Sequence, residues 1–271
     1  MKVVLFCGGL GMRIRPLTNS ERSHADPVPK PMVTIGRQPL LWNVMKYYAH
    51  FGHDDFILCL GYGAEAIKRF FLDYNEYLGN DFVMTAGGRN LELLHRDIES
   101  WKIQFLDTGL NTNVGERLRR VRHLLQDEPM FLANYSDGLT DLHLPTYQKA
   151  FEESGKTAAC VCVRPPASGH VISFRDDGGI RAVQTYTDAD LWINGGYFIM
   201  RPEIFDVMNE GEELVQEPFR RLIEKDRLMG YRYEGFWQSC DTFKEKEDLD
   251  QRYISGDRPW QVWVDSAVPE L

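Results

Sequence analysis

Lys2-Val3-Val4-Leu5-Phe6-Cys7-Gly8-Gly9-Leu10-Gly11-Met12-Arg13 is the stretch that decides how the rest of this chain is read. Lys2 to Phe6 is a short apolar, β-branched run that stops at glycine, which predicts a buried strand leading into a glycine-rich turn. Glycines let a backbone come close to phosphate oxygens and present successive N–H donors. Arg13 adds a planar fork of donors suited to a di- or triphosphate. The turn also follows the first strand, at the end where open α/β sheets bind ligands. Two better-known phosphate loops do not fit. A dinucleotide fingerprint needs a third glycine where Ile14 stands, and a P-loop needs Lys-Ser or Lys-Thr where Met12-Arg13 stands. Taken alone, the segment is compatible with a phosphate cradle or with an ordinary strand-ending turn.

Outward from it, Gly8 to Pro31 holds four prolines and reads as loop. Met32 to Gly36 suggests a short strand and turn. Pro39 opens a helix whose Leu40, Leu41, Val44, Met45 and Tyr48 share one face, closed by Gly52. Asp55–Leu60 predicts a second buried strand, Ala64–Tyr74 a helix, and Phe82–Thr85 and Ile103–Leu106 further strands. Gly115–Leu125 predicts a helix with Leu118, Val121, Leu124 and Leu125 inward and its arginines around the other sides. Met130–Asn134 is a strand that runs into Tyr135-Ser136-Asp137-Gly138. Beyond it the alternation of strand and helix weakens. Ala158–Val163, His170–Phe174, Ile180–Gln184, Ile193–Met200 and Leu228–Tyr233 read as strands, with Asp177-Gly178-Gly179 as a hairpin turn and Gly195-Gly196 as an interruption. Pro218–Lys225 is helical, and Thr242-Phe243-Lys244-Glu245 has the spacing of a capping box that starts a helix running toward Ile254. The pattern predicts an α/β fold: a mixed, largely parallel, Rossmann-like sheet flanked by helices, with a small antiparallel addition in the C-terminal half.

The 271 residues are 43% hydrophobic and 12% aromatic, enough for a sizeable core, and suit a single domain, 1–271, with halves of 1–145 and 146–271. A formal net charge of −9 argues against general nucleic-acid binding, so an anionic ligand must be held by locally placed Lys, Arg and N–H groups. No run approaches the length of a membrane span, and no signal peptide is visible, so a cytoplasmic protein without a membrane partner is expected. The odd set Cys7, Cys59, Cys160, Cys162 and Cys240 suits a reducing compartment. Cys160-x-Cys162 lacks a second ligand pair, so strand alternation accounts for it better than a metal does. The histidines form no metal-ligand spacing.

The glycine loop followed at a distance by Pro29-Lys30-Pro31-Met32 resembles the sugar-1-phosphate nucleotidyltransferases. Further segments resemble the glucose-1-phosphate cytidylyltransferase branch of that family, in the same order along essentially the whole chain. They are Leu41 to Lys46, Cys59-Leu60-Gly61-Tyr62, Asp107-Thr108-Gly109, Ile193 to Phe198, Gly235-Phe236-Trp237, Asp241-Thr242 and Pro259 to Trp263. The resemblance implies the nucleotide-diphospho-sugar transferase fold. It also implies a reaction of CTP with glucose 1-phosphate that gives CDP-glucose and pyrophosphate, Mg²⁺ as cofactor, and a homo-oligomer.

Such a reaction needs positioning and charge neutralisation more than a covalent nucleophile. Arg13 and Lys30 are the catalytic candidates, Lys30 being stiffened by a proline on either side. The nucleotide-binding candidates are Phe6, Cys7, Gly8, Gly9, Leu10, Gly11, Met12, Arg13 and Lys30; the resemblance adds Thr112 and Arg117, and Ser136 joins them because it adjoins Asp137. Asp137, at a strand end before Gly138, suits a hard Mg²⁺, though an aspartate before glycine is also a common turn residue. Only the resemblance pairs it with Asp241, which an adjoining helix N-terminus would favour anyway. Asn194, followed by two glycines, and Glu217 are the sugar-side candidates.

The match departs at one place. Family members carry a Glu-Lys-Pro segment whose lysine meets the sugar phosphate, and Gln184-Thr185-Tyr186-Thr187-Asp188 stands there without a lysine. Pro165-Pro166-Ala167-Ser168-Gly169-His170 also differs from the family's pattern. Loss of a charged hydrogen bond to phosphate costs on the order of 1.5–3 kcal/mol. Arg164, Arg175 or Arg181 could replace that cation; otherwise the acceptor is another phosphate or phosphonate, or the nucleotide another NTP. A non-catalytic nucleotide sensor is the remaining alternative. Arg13, Lys30, Asp137 and Asp241 together speak against it, since a sensor needs no carboxylate pair for metal.

Overall fold

A computed structural model describes residues 1–9, 28–165, 169–186 and 188–264. Leu10, Gly11, Met12 and Arg13, and with them the rest of the glycine loop, lie outside the described residues, as do Pro166, Ala167, Ser168 and Thr187. Seven strands form the main sheet: β1 (Lys2–Phe6), β2 (Asp55–Leu60), β3 (Lys102–Asp107), β4 (Phe131–Asn134), β5 (Ala158–Val163), β6 (Ile193–Met200) and β7 (Leu228–Tyr233), in the order β7-β5-β6-β4-β1-β2-β3. Only β6 runs against the others, antiparallel to β4 on one side and β5 on the other. The sheet is therefore largely parallel, as the strand–helix alternation of the first half predicts.

The alternation of side chains along β1 separates two cores. Val3 and Leu5 face one with Phe56 and Leu58 of β2, and Val4 and Phe6 face the other with Ile57 and Cys59. Helices cover both faces, which is why these strands read as continuous apolar runs. The flanking helices are α1 (Leu40–His50), α2 (Ala64–Leu72), α3 (Val114–Arg120), α4 (Leu144–Ser154), α5 (Glu217–Glu224) and α6 (Phe243–Ser255). α1 is buried on more than the expected face, because Trp42 meets the C-terminal Trp263 edge-on at 6.0 Å while Tyr47 packs toward Tyr197.

Several local expectations need correction. Gly115–Leu125 is not one helix: α3 starts after Asn113, whose side chain accepts the Glu116 N–H, and it ends at Arg120 before a 3₁₀ turn over Arg122–Leu124. Gly195-Gly196 does not end β6, but the β5–β6 pairing shifts register across it and Gly196 stands at φ +75°. α4 has no counterpart among the expected elements, and its buried residues Leu144, Tyr147 and Phe151 keep helical spacing. The capping box at Thr242 forms as expected, with Thr242 Oγ1 accepting the Glu245 N–H and Glu245 Oε2 accepting the Thr242 N–H. Two hairpins project from the sheet, Phe82–Thr85 with Asn90–Leu93 and His170–Phe174 with Ile180–Thr185. Asp177-Gly178-Gly179 turns the second, the Gly179 N–H bonding Asp177 Oδ1 at 2.8 Å. Among the described residues no helix is long and apolar enough to cross a membrane.

Cys160 and Cys162 lie two apart on β5, so both thiols leave one face of the strand, 3.9 Å apart. The Cys160 contact lowers the Cys162 thiol to about 7, against the opposing effect of burial and with help from Arg232. Burial pushes Cys7 and Cys240 up to about 12 and raises Cys59 further. Cys162 should therefore be the first cysteine carbamidomethylated by iodoacetamide at neutral pH, because the thiolate displaces iodide. Peptide mass mapping of a labelling time course checks this, and initial labelling at Cys240 or Cys7 would count against it.

Candidate active site

The carboxyl ends of the parallel strands and the start of β6 meet at one edge of the sheet, the position open α/β folds use for ligands. Cys7 follows β1, Gly61 follows β2, Thr108 follows β3 and Arg164 follows β5, while Asn194 stands near the start of β6. A small antiparallel pairing that no local pattern announces completes the edge. Gly138–Thr140 pairs with Trp237–Ser239, and the Cys240 N–H bonds the Asp137 carbonyl at 3.0 Å. That pairing brings two aspartates about a hundred residues apart in sequence to one point.

Lys30 lies between them. It begins a 3₁₀ turn, Lys30–Met32, set by the extended Pro29 before it and by Pro31 at the first helical positions. Its Nζ donates to Asp137 Oδ2 at 2.7 Å and also to Asp241 Oδ1. The ammonium is largely enclosed, its side chain 18% exposed, with Asp137 at 27% and Asp241 at 45%. Burial works to lower the Lys30 ammonium, but the two carboxylates outweigh it and hold it above its ordinary value. Burial also pushes the Asp137 carboxyl above the ordinary carboxylate value, and Lys30 opposes that shift. An ammonium has three N–H donors, so one remains for an incoming oxygen.

Arg117 is the main surprise. The expectation of a helix-surface arginine fails, because the residue is 3% exposed and points into the sheet edge. Nη1 donates to the Leu60 carbonyl at 2.9 Å and to Thr108 Oγ1 at 2.7 Å, and Nη2 donates to the Gly8 carbonyl at 2.9 Å. The guanidinium thus ties the ends of β1, β2 and β3 together. A Cβ on Gly8 would fall 2.2 Å from its Nη1, so this approach needs glycine.

A cavity of about 350 Å³ opens beside this network, lined by Phe6, Gly8, Gly9, Thr112, Arg117, Tyr135, Asp137 and Glu213. Cys7 and Ser136 do not line it. Ser136 is fully buried with φ +65°, its N–H on Asn134 Oδ1 at 2.6 Å and its hydroxyl 3.4 Å from Cys7 Sγ. Their contribution is to hold the β1 and β4 ends together from behind. Glu217 begins α5 and lines no cavity at this edge, whereas Glu213, which the sequence did not single out, does. Tyr135 was also missed; its hydroxyl accepts from Asn194 Nδ2 at 3.1 Å and so joins two parts of the edge.

A second cavity of about 320 Å³ is lined by Val163, Arg164, Tyr233, Glu234, Gly235 and Trp237. Trp237 Nε1 donates to the Gly195 carbonyl at 2.8 Å, and the indole passes between Gly138 and Gly195. A wider cavity of about 700 Å³ lies elsewhere, near Trp42, Phe70, Tyr74 and Trp263, and none of the site residues lines it.

These features define an enzyme class. A parallel sheet whose strand ends gather a glycine turn, a lysine and two carboxylates is that of a nucleotidyltransferase acting on sugar phosphates. The UDP-glucose pyrophosphorylase solved in complex with UDP-glucose has the same fold, with a TM-score of 0.66 at 16% identity over 94% of this chain and 98% of that one. The glucose-1-phosphate cytidylyltransferases of Salmonella typhimurium and Salmonella typhi are each 34% identical to this chain over 265 residues, 97% of this chain and 100% of theirs. The chain belongs to the glucose-1-phosphate cytidylyltransferase family. No protein-family model matches it.

Proposed function

We propose that this protein transfers the cytidylyl group of CTP to glucose 1-phosphate, giving CDP-glucose and pyrophosphate. An oxygen of the acceptor phosphate attacks the α-phosphorus, and the bond from that phosphorus to the bridging oxygen of the leaving pyrophosphate breaks. The observation that carries this reading is the Lys30 ammonium held between Asp137 and Asp241, with Asp137 also lining the Gly8-Gly9 cavity. Lys30 offers its third N–H to the α-phosphate or to the leaving group, where negative charge grows. Thr112 and the Gly8-Gly9 backbone line the nucleotide side, with Arg117 holding that backbone rather than spending its donors on ligand.

The donor set suits Mg²⁺. Asp137 and Asp241 converge on one cation already, and a hard ion of this kind takes one or two carboxylates, with phosphates and water completing its shell. Among the described residues no group of three or more His, Cys, Asp or Glu is placed to hold a metal ion. When bound, the ion would neutralise phosphate charge. Arg13 and the Leu10-Gly11-Met12 backbone extend the phosphate contacts in this reading. A cytoplasmic setting is consistent with five free cysteines. The exposed apolar side chains of the two projecting hairpins, Met84, Phe174 and Val183 among them, support a homo-oligomer.

Pyrophosphate release from CTP, Mg²⁺ and glucose 1-phosphate is the test, run beside other NTPs and other sugar phosphates. Absence of pyrophosphate throughout the panel would sink the enzyme reading. One observation favours a second reading: Gln184–Asp188 lacks the lysine with which relatives are expected to meet the acceptor phosphate. Release with a different phosphorylated acceptor alone would establish that reading.

A further inference from the structure

Arg117 is the cationic side chain lining the Gly8-Gly9 cavity, and Arg164 is the one lining the cavity beside Trp237. Arg117 is held by backbone carbonyls and Thr108, and Lys30 stands between two carboxylates with its third N–H assigned to the nucleotide side. Arg175 folds back onto its own hairpin turn beside Asp177, and Arg181 lies exposed on the outer hairpin strand; neither lines either cavity. Arg164 differs from all of these. It follows Val163, which pairs with Ile193 across β5 and β6, so the antiparallel register carries it toward Trp192, two positions beyond the Cys162–Asn194 pair. Its guanidinium stacks on the Trp192 ring at 4.2 Å. Nη1 donates to the Ala189 carbonyl at 3.0 Å and lies 3.5 Å from Asp190 Oδ1. Nε and Nη2 make no hydrogen bond among the described residues, and the side chain is 34% exposed on the cavity wall. The stack and the carbonyl fix the plane of the fork while leaving two donor nitrogens available, which is the geometry for a bidentate grip on phosphate.

We propose that Arg164 is the phosphate-binding cation of the acceptor half of the site, pre-set by Trp192 and the Ala189 carbonyl, and that it takes the phosphomonoester dianion of a sugar. The inference rests on the function proposed above and deepens it. It explains how this chain dispenses with a lysine in Gln184–Asp188: the charge comes from the end of β5, and the 188–192 turn serves as its support.

The experiment measures steady-state kinetics of pyrophosphate release for the parent, Arg164→Gln, Arg164→Lys and Asp190→Ala. Arg164→Gln should raise the acceptor KM about 10- to 100-fold and leave the CTP KM within about twofold, the loss of one charged hydrogen bond. Arg164→Lys should recover part of that loss, because it keeps the charge without the fork. Inorganic phosphate should inhibit the parent competitively against the acceptor and lose that effect in Arg164→Gln. A role confined to pinning the turn would instead let Asp190→Ala reproduce the Arg164→Gln phenotype and leave phosphate inhibition unchanged, and that result overturns the proposal. An acceptor KM unchanged in Arg164→Gln overturns it too, while the parent's own turnover still upholds the enzyme reading. Should Arg164→Gln fail to fold, the Arg164→Lys acceptor KM and its phosphate inhibition decide in the same way. A parent that releases no pyrophosphate with any acceptor removes the reading on which this inference rests.

Discussion

Lys30→Met should lower kcat about 100- to 1,000-fold, the usual cost of removing one preorganised donor aimed at developing charge. The Lys30 ammonium is held by Asp137 and Asp241 before any ligand arrives, so it needs no reorganisation when the phosphate does. Its removal also leaves two carboxylates facing each other without a cation, and Asp137 is already pushed up by burial. The variant should therefore favour a protonated Asp137 and bind Mg²⁺–CTP less well. Lys30→Arg should not restore the rate, because a planar fork cannot place a compact charge between two carboxylates and an α-phosphate at once. Single-turnover kinetics at saturating CTP separate chemistry from binding. A kcat within tenfold of the parent would remove Lys30 from the chemistry.

Arg117→Met should destabilise the protein by about 1–3 kcal/mol, because it takes the guanidinium donor from the Gly8 carbonyl. The Leu60 carbonyl and Thr108 Oγ1 also lose an N–H from this side chain, but the Leu60 carbonyl keeps the Thr108 N–H at 2.9 Å and the Thr108 hydroxyl at 2.8 Å. The methionine fills much of the volume, so the loss reports unsatisfied polar groups rather than a cavity. The urea midpoint should fall at a nearly constant slope, and the CTP KM should rise because the Gly8 turn loses its anchor. A variant with parental stability and parental CTP affinity would show that the Gly8 turn is held in place by other contacts.

The two residues differ in how openly the chain declared them. Lys30 was legible because two prolines flank it and because the family match covers that segment. The resemblance named Arg117 as a nucleotide-binding candidate, but helical periodicity by itself placed it among the arginines on the outer sides of its helix. Helical periodicity reports which face is apolar, and α3 buries a charge on a face the pattern marks as polar. Only the neighbouring strand ends, with three acceptors in reach, make that burial affordable. Ser136 and Glu217 were chosen by position in a motif. One turns its hydroxyl to Cys7, and the other sits at the start of α5 while Glu213 lines the cavity instead.

What the amino-acid order determined by itself was local. β1, β2, β5, β6 and β7 run over the bounds their apolar stretches predict, because each is set by residues adjacent in sequence. The same holds for the capping box at Thr242 and the turn at Gly178. What only the tertiary structure decided was everything that joins distant segments. The pairing of Gly138–Thr140 with Trp237–Ser239 brings Asp137 to Asp241, the packing of α3 across three strand ends buries Arg117, and the end of β5 lies against the 189–192 turn so that Trp192 carries Arg164. The physical reason is that hydrophobic periodicity encodes burial within an element, whereas the partners of a polar side chain are fixed by loop closure and sheet order, which leave no periodic trace.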